Sequence, residues 1–327
     1  MGEFIMENGL KFACDLDGQG GGNEIGWAEI RAGIPAGKTR WVHLLVEDAG
    51  TEKWLRNESG LDEITCDALL VENTRPRVTP LEDGLLIILR GVNLNPNADP
   101  EDMVGIRILI QKNLIISLRI RKLKTTEDIQ NSLLRGNGPK NSSEFVLQMV
   151  DGLTKRMEPV IEDIDEQLGI IEENIFSSTG DQTPDSLAPL RYALITLIRY
   201  ISPQRDAFNA LKSIKTDFLD SEQRQEIGEA ENTLLRYLED MGAMRDRASV
   251  VYDEVRTRIN ERSGKTMYLL TVVAALLLPP SLVAGILGIN VGGMPGVENQ
   301  WAFYIVVGLI TTLCVFEFWL LKRLKWV

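Results

Sequence analysis

A chain of 327 residues with 47 acidic and 35 basic side chains carries a formal charge of −12. That balance argues against binding to nucleic acid or to anionic lipid headgroups. One histidine, His43, and three scattered cysteines, Cys14, Cys66 and Cys314, argue against histidine catalysis, a disulfide frame and a zinc-ligand cluster, so no enzyme is expected.

The chain opens without a basic segment followed by an apolar run, so no signal peptide is expected and the N-terminal part is placed in the cytoplasm. The Gly18-Gln19-Gly20-Gly21-Gly22 run lacks the Lys-Ser/Thr of a phosphate loop and reads as a turn. Alternation predicts strands at 41–47 and 84–92, and a hairpin from 104–110 and 114–120 around Gln111-Lys112-Asn113. His43 lies in the first of these and reads as structural. Helices are expected over 61–71 and 125–135, the second with Thr126 as its cap. The class is an α+β domain, a mixed sheet with flanking helices, over residues 1–140.

From residue 142 the pattern turns helical. One amphipathic stretch is expected over 142–175 despite Pro159, then a break over 177–184. A second helix follows over 185–217, which Pro203 should kink or split. Beyond Ser221, apolar residues recur every three to four positions through Ile227, Leu234, Leu238, Met241, Ala248, Tyr252, Val255 and Ile259. No Pro or Gly-rich break parts this helix from the apolar run beyond it. One helix of about 100 Å is expected over 221–289. These helices form a stalk over 141–266.

Residues 267–289 hold no ionisable group but Tyr268, and 301–321 hold only Glu317 among charged types. Each run matches the roughly 20 residues that span a hydrocarbon core. Arg256, Arg258, Arg262 and Lys265 precede the pair and Lys322, Arg323 and Lys325 follow it, whereas the 290–300 loop has no base. Both termini, including the 322–327 tail, are therefore expected on the cytoplasmic side. Residues 267–327 carry a formal +1, leaving −13 on the remainder, a charge that draws cations. Glu317 is a functional candidate by depth, or a structural partner for Lys322 and Arg323.

At heptad spacing Met267, Ala274, Ser281 and Gly288 interleave with Thr271, Leu278 and Gly285. The stripe is small and mildly polar. A helix–helix seam and a pore wall both fit it. Continued toward the N-terminus it meets Asn260, Thr257, Asp253, Asp246 and Glu239, which suit a water-filled acidic funnel better than a seam. A straight helix drifts by ~20° per heptad, so Asp253 keeps the face best and Glu239 least. One helix cannot enclose a pore; conduction requires a ring of copies, which would make Asn290 a ring of amides at the outer mouth.

Gly288-Ile289-Asn290, followed by Met294-Pro295, resembles the Gly-Met-Asn signature of the CorA family of divalent-metal transporters. Asn73-Thr74-Arg75-Pro76-Arg77-Val78, Arg199-Tyr200-Ile201-Ser202-Pro203-Gln204-Arg205-Asp206 and the Gly-Gly-Met-Pro-Gly loop are similar to its ZntB zinc-transporter branch. The resemblance implies a homopentameric funnel in the inner membrane, lined by the longest helix, with the second span outside. It implies Asn290 as outer-mouth ion contact and Ser281 as a polar lining position. Leu278, Leu270 and Met267 would form an apolar neck, and Asp253 an inner acidic ring and candidate metal contact. Ile289 departs from the usual Met, and Gly296 stands where magnesium members often have Glu, leaving Glu298 as the loop's acid.

No cofactor is implied beyond the transported cation. The implied partners are further copies of the chain, the bilayer and divalent cations. A stripped Zn²⁺ wants His, Cys or carboxylate ligands, and the first span has none. The ion is thus expected to pass largely hydrated, with Zn²⁺ favoured by the resemblance alone. The alternatives are a Mg²⁺, Co²⁺ or Ni²⁺ channel of the same build, or a membrane-anchored cytoplasmic sensor.

Overall fold

Short β-branched and aromatic runs, cut by turn residues, set the N-terminal architecture. The computed structural model describes residues 9–72, 74–176, 187–214, 218–289, 296 and 298–324. Contacts divide the chain into two units, Met1–Tyr252 and Asp253–Val327.

In the first unit β1 (Leu10–Leu16) and β2 (Gly22–Glu24) flank the glycine run. Gly18 and Gly20 take φ of 77° and 105°, where a side chain would be strained. The Asp17 carboxylate accepts from the Gln19 and Gly21 amides at 2.7 and 2.9 Å, which holds its pKa below the usual range. The run is a turn, as expected.

Next come α1 (Trp27–Ala32), β3 (Thr39–Leu45), α2 (Ala49–Asn57), α3 (Glu63–Leu70), β4 (Arg77–Leu81), β5 (Gly84–Gly91), β6 (Val104–Gln111) and β7 (Leu114–Arg119). The sheet runs β2-β1-β3-β7-β6-β5-β4. Its neighbours are antiparallel except β3 and β7, which run parallel, giving the mixed sheet expected. The strand placed at 41–47 begins and ends two residues earlier. Asp48 then caps α2, its side chain accepting from the Gly50 amide at 2.8 Å.

Alternation along β3 decides which core each side chain enters. Val42 and Leu44 join Ala13, Ile88, Ile116 and Leu118 under Trp54 and Leu55 of α2. Trp41 and His43 point to the other face. Trp41 is fully buried, with the Phe12 and Phe145 rings at 5.2 and 4.9 Å, and its indole N–H donates to Ser117 Oγ at 2.7 Å. That hydroxyl also lies 2.7 Å from His43 Nδ1. Ser117 Oγ, with one proton and two lone pairs, thus joins the Trp41 and His43 rings.

Burial, reinforced by the Arg119 charge, pushes the His43 pKa down to about 3. The unfolded chain binds that proton near pH 6.5, so the stability it contributes is complete above 6.5 and is lost as pH falls toward 3. Between pH 7 and 5 the first unit should lose about 2 kcal/mol, read from denaturant midpoints. With a single histidine in the chain, His43→Gln should flatten that slope. Cys14 and Cys66 are buried free thiols, and burial beside Asp15 pushes Cys14 up to about 12. Neither is a reactive thiolate.

Two helix expectations need correction. Thr126 does not cap α4 (Lys124–Leu134): Leu123 holds the extended cap position, and the buried Thr126 hydroxyl donates to the Leu123 carbonyl at 2.6 Å. The 142–175 stretch is two helices, α5 (Ser142–Lys155) and α6 (Glu158–Phe176). Pro159 has no amide to give the Lys155 carbonyl, and a new start at Glu158 puts it in a first turn, where no donor is needed.

The 177–184 break, like Asp185, lies outside the described residues. Within α7 (Ala188–Ser213) Pro203 does not split the helix. Leu197, Ile201, Gln204 and Phe208 are wholly buried around it, and that packing carries the helix past the missing hydrogen bond.

The expected long helix is α8 (Ser221–Leu287), 67 residues without a break. In the first unit it buries Ile227, Leu234, Met241 and Ala248 completely. Arg247 ties it to α6, donating to Asp165 at 2.6 Å and Glu172 at 2.6 Å. In the second unit it passes Pro279 and Pro280, whose missing amides leave the Ala275 and Leu276 carbonyls without their usual donors. The last element is α9 (Ala302–Arg323).

Candidate ion pathway

The C-terminal part of α8 and all of α9 are long and apolar enough to cross a membrane. Aromatic side chains stand at both ends of α9. Trp301 and Phe303 pack on Tyr304 at one end; at the other Phe316 stacks on Trp319, whose ring lies 5.3 Å from the Arg323 guanidinium. Such belts sit at headgroup level. Arg323 is thus turned to Trp319, and Glu317 has a buried, unbonded Oε2 and no ion pair among the described residues.

At 3.6 residues per turn Met267, Leu270, Thr271, Ala274, Leu278 and Ser281 share an arc of about 100° on α8. Met267, Leu270 and Leu278 are 66–70% exposed, Thr271 and Ser281 are exposed, and Ala274 is half-buried. Buried Val272 and half-buried Leu276, Pro279, Pro280 and Val283 lie on the opposite side, where Leu269 is exposed. The arc also holds the only Thr and Ser between residues 267 and 289. Thr271 Oγ1 donates to the Met267 carbonyl at 2.8 Å, which fixes the hydroxyl and leaves its oxygen free to accept.

Below this stretch Asp253 is exposed at the edge of the same arc, its carbonyl accepting from Thr257 Oγ1 at 2.9 Å. Asp246 and Glu239, in the first unit, are also exposed, and Asp246 pairs with Arg245 at 2.9 Å. Among the described residues no three His, Cys, Asp or Glu groups gather as metal ligands. A single chain therefore brings the stripe together but assembles no cation site from these acids.

At the other end α8 stops at Leu287, and the Gly288 amide still reaches the Ala284 carbonyl at 2.9 Å. Ile289 is half exposed and Glu298 is exposed; Asn290 lies outside the described residues. Gly296 has φ 94°, and the Asn299 side chain accepts from the Trp301 amide at 2.9 Å as the chain enters α9.

The model of the CorA-like Mg²⁺ transporter protein family matches residues 36–323. The chain belongs to the CorA-like family. It is accordingly a divalent-cation transporter and not an enzyme. It is 39% identical over 324 residues to the divalent cation transporter CmaX of Pseudomonas aeruginosa, covering 98% of this chain and 97% of that one. To the zinc transport protein ZntB of Pectobacterium carotovorum it is 33% identical over 325 residues, covering 99% and 98%. The solved structure of full-length CmaX superposes with a TM-score of 0.82 at 38% identity, covering 97% of this chain and 98% of that one. The CorA-like fold, mixed sheet, long helices and C-terminal pair of apolar helices, is the one expected.

Sequence reasoning left one constellation in the first unit unread. Two of the three segments resembling the ZntB branch, through Thr74 and through Tyr200 and Gln204, meet at Arg90 of β5. Its guanidinium donates to the Thr74 carbonyl at 2.9 and 3.1 Å and to the Met103 carbonyl at 2.8 Å, and stacks 4.1 Å from the Tyr200 ring. Its own amide donates to Gln204 Oε1 at 2.7 Å. A charged residue ending the apolar run 85–89 was the available signal. Arg205 pairs locally with Asp206 at 2.6 Å.

Proposed function

We propose that this CorA-like protein carries Zn²⁺ across the inner membrane as a ring of five identical chains. Residues 1–140 and 141–266 stand in the cytoplasm with both termini, and 267–327 form the membrane part. The observation that supports the pathway is the α8 arc that holds both hydroxyls of its span and is exposed apart from half-buried Ala274. Facing one another in a ring, Met267, Leu270 and Leu278 would form an apolar neck and Thr271, Ala274 and Ser281 the wettable positions. Gly288, Ile289, Asn290 and Glu298 would make the outer mouth, and Asp253, Asp246 and Glu239 the acidic funnel positions.

Zinc rests on the kinship with ZntB, not on ligands. Without His, Cys or carboxylate in the first span, the cation keeps its water and contacts amide and hydroxyl oxygens. The same chemistry supports Mg²⁺, Co²⁺ or Ni²⁺ as a second reading, and the matching family carries Mg²⁺ in its description. Uptake into liposomes holding the purified protein, compared across the four cations, decides between them. Zn²⁺ should enter fastest. Asn290→Ala should slow entry by about tenfold, the loss of roughly one charge-assisted contact; an unchanged rate removes Asn290 from the mouth.

A further inference from the structure

Beyond the ion pathway, the first unit holds a polar cavity of about 380 Å³ between β5, β6 and α7, floored by two buried arginines. Arg107 is 1% and Arg90 8% exposed. Arg107 Nη2 donates to the Val71 and Glu72 carbonyls, both at 2.6 Å, and Arg90 to those of Thr74 and Met103. All four acceptors are neutral. Among the described residues neither guanidinium has a carboxylate partner, and Arg107 Nε, fully buried, has no acceptor at all.

The same domain shows what a self-sufficient buried arginine looks like. Arg40, 2% exposed, is met by both oxygens of Asp15 at 2.6 and 2.9 Å. Arg90 and Arg107 have no such counterion, and their charges oppose each other across the cavity. Burial, then the Arg90 charge, pushes the Arg107 pKa down to about 10. The carbonyl bonds to Val71, Glu72 and Thr74 neutralise neither charge, and the Glu72 and Asp102 carboxylates act on them only at a distance.

Arg121, half exposed, adds a third guanidinium to the wall and is engaged by Asp102 at 2.5 Å. The two other carboxylates on the wall, Glu47 and Glu72, are exposed, where water and salt screen them.

We propose that this cavity binds a phosphate-class oxyanion, as the free ion or as the phosphoryl group of a small metabolite. Forked guanidinium donors match tetrahedral oxyanions, and an anion supplies the missing counter-charge. Tyr200 and Gln204, one turn apart on α7, already hold Arg90, so occupancy bears directly on that helix.

The test is calorimetric titration of the full-length protein in detergent, in metal-free chloride buffer, with inorganic phosphate and separately with ribose 5-phosphate. Saturable binding at one site per chain is expected, weakened about tenfold or more by Arg107→Met and about threefold by the exposed Arg121→Gln. Arg121→Gln keeps the test open if Arg107→Met fails to fold. Tighter binding of the sugar phosphate assigns the site to a metabolite's phosphoryl group; equal binding assigns it to the free ion. No saturable heat up to about 10 mM of either ligand, or unchanged affinity in Arg121→Gln, overturns the proposal.

Discussion

Liposomes carrying Leu278→Lys protein should take up divalent cations about a hundredfold or more slowly than those carrying the native chain. At ~5 Å and an effective dielectric near 20, one ammonium repels a divalent cation by roughly 7 kcal/mol, and a ring multiplies the effect. The arc that holds Leu278 is uncovered in the single chain, so the added lysine would face the space proposed for the ion. Leu278→Met conserves volume and apolarity and should leave uptake within about twofold. Native-like uptake by the lysine variant, with assembly intact by size-exclusion chromatography, would mean the stripe is a seam between helices and the ion passes elsewhere.

The second large effect is on folding. Trp41→Ala should cost about 3–5 kcal/mol, because the indole fills the space between Phe12 and Phe145 and nothing in a finished sheet collapses into the void. It also takes from Ser117 a donor at 2.7 Å. Loss of the first unit's far-ultraviolet signal on heating should come on the order of 10 °C earlier. Trp41→Phe keeps the ring contacts and loses the hydrogen bond, for about 1 kcal/mol. A Trp41→Ala midpoint equal to native would show that this face of the sheet contributes little to stability.

What sequence revealed and what it hid have physical causes. Strands β5, β6 and β7 announced themselves because their apolar runs are long and bounded by turns. The β1 strand, Leu10–Leu16, did not: Lys11, Cys14 and Asp15 blur its alternation, though Asp15 is there to neutralise Arg40. Helix α1, of 6 residues, is too short for a periodic signal. The break before α6 was hidden because amphipathicity continues across Arg156-Met157, and Pro159 tells only that a helix must start or stop nearby. In the proposed pathway, the stripe from Met267 to Ser281 stands out in the sequence because hydroxyls and small side chains differ from the surrounding Leu, Val and Ile. The Arg90 and Arg107 pair does not, since Thr74, Tyr200 and Gln204 come to it from distant parts of the chain.

Tandem prolines at 279 and 280 leave two consecutive rungs missing from the hydrogen-bond ladder of α8. In a rod of 67 residues, flexure collects where the ladder is interrupted, so 275–280 is its most compliant stretch. Leu278 sits inside that stretch. One position of the neck proposed for the ion thus lies in the softest stretch of the helix, and a change of bore at Leu278 asks less elastic work than the same displacement at Met267 or Leu270.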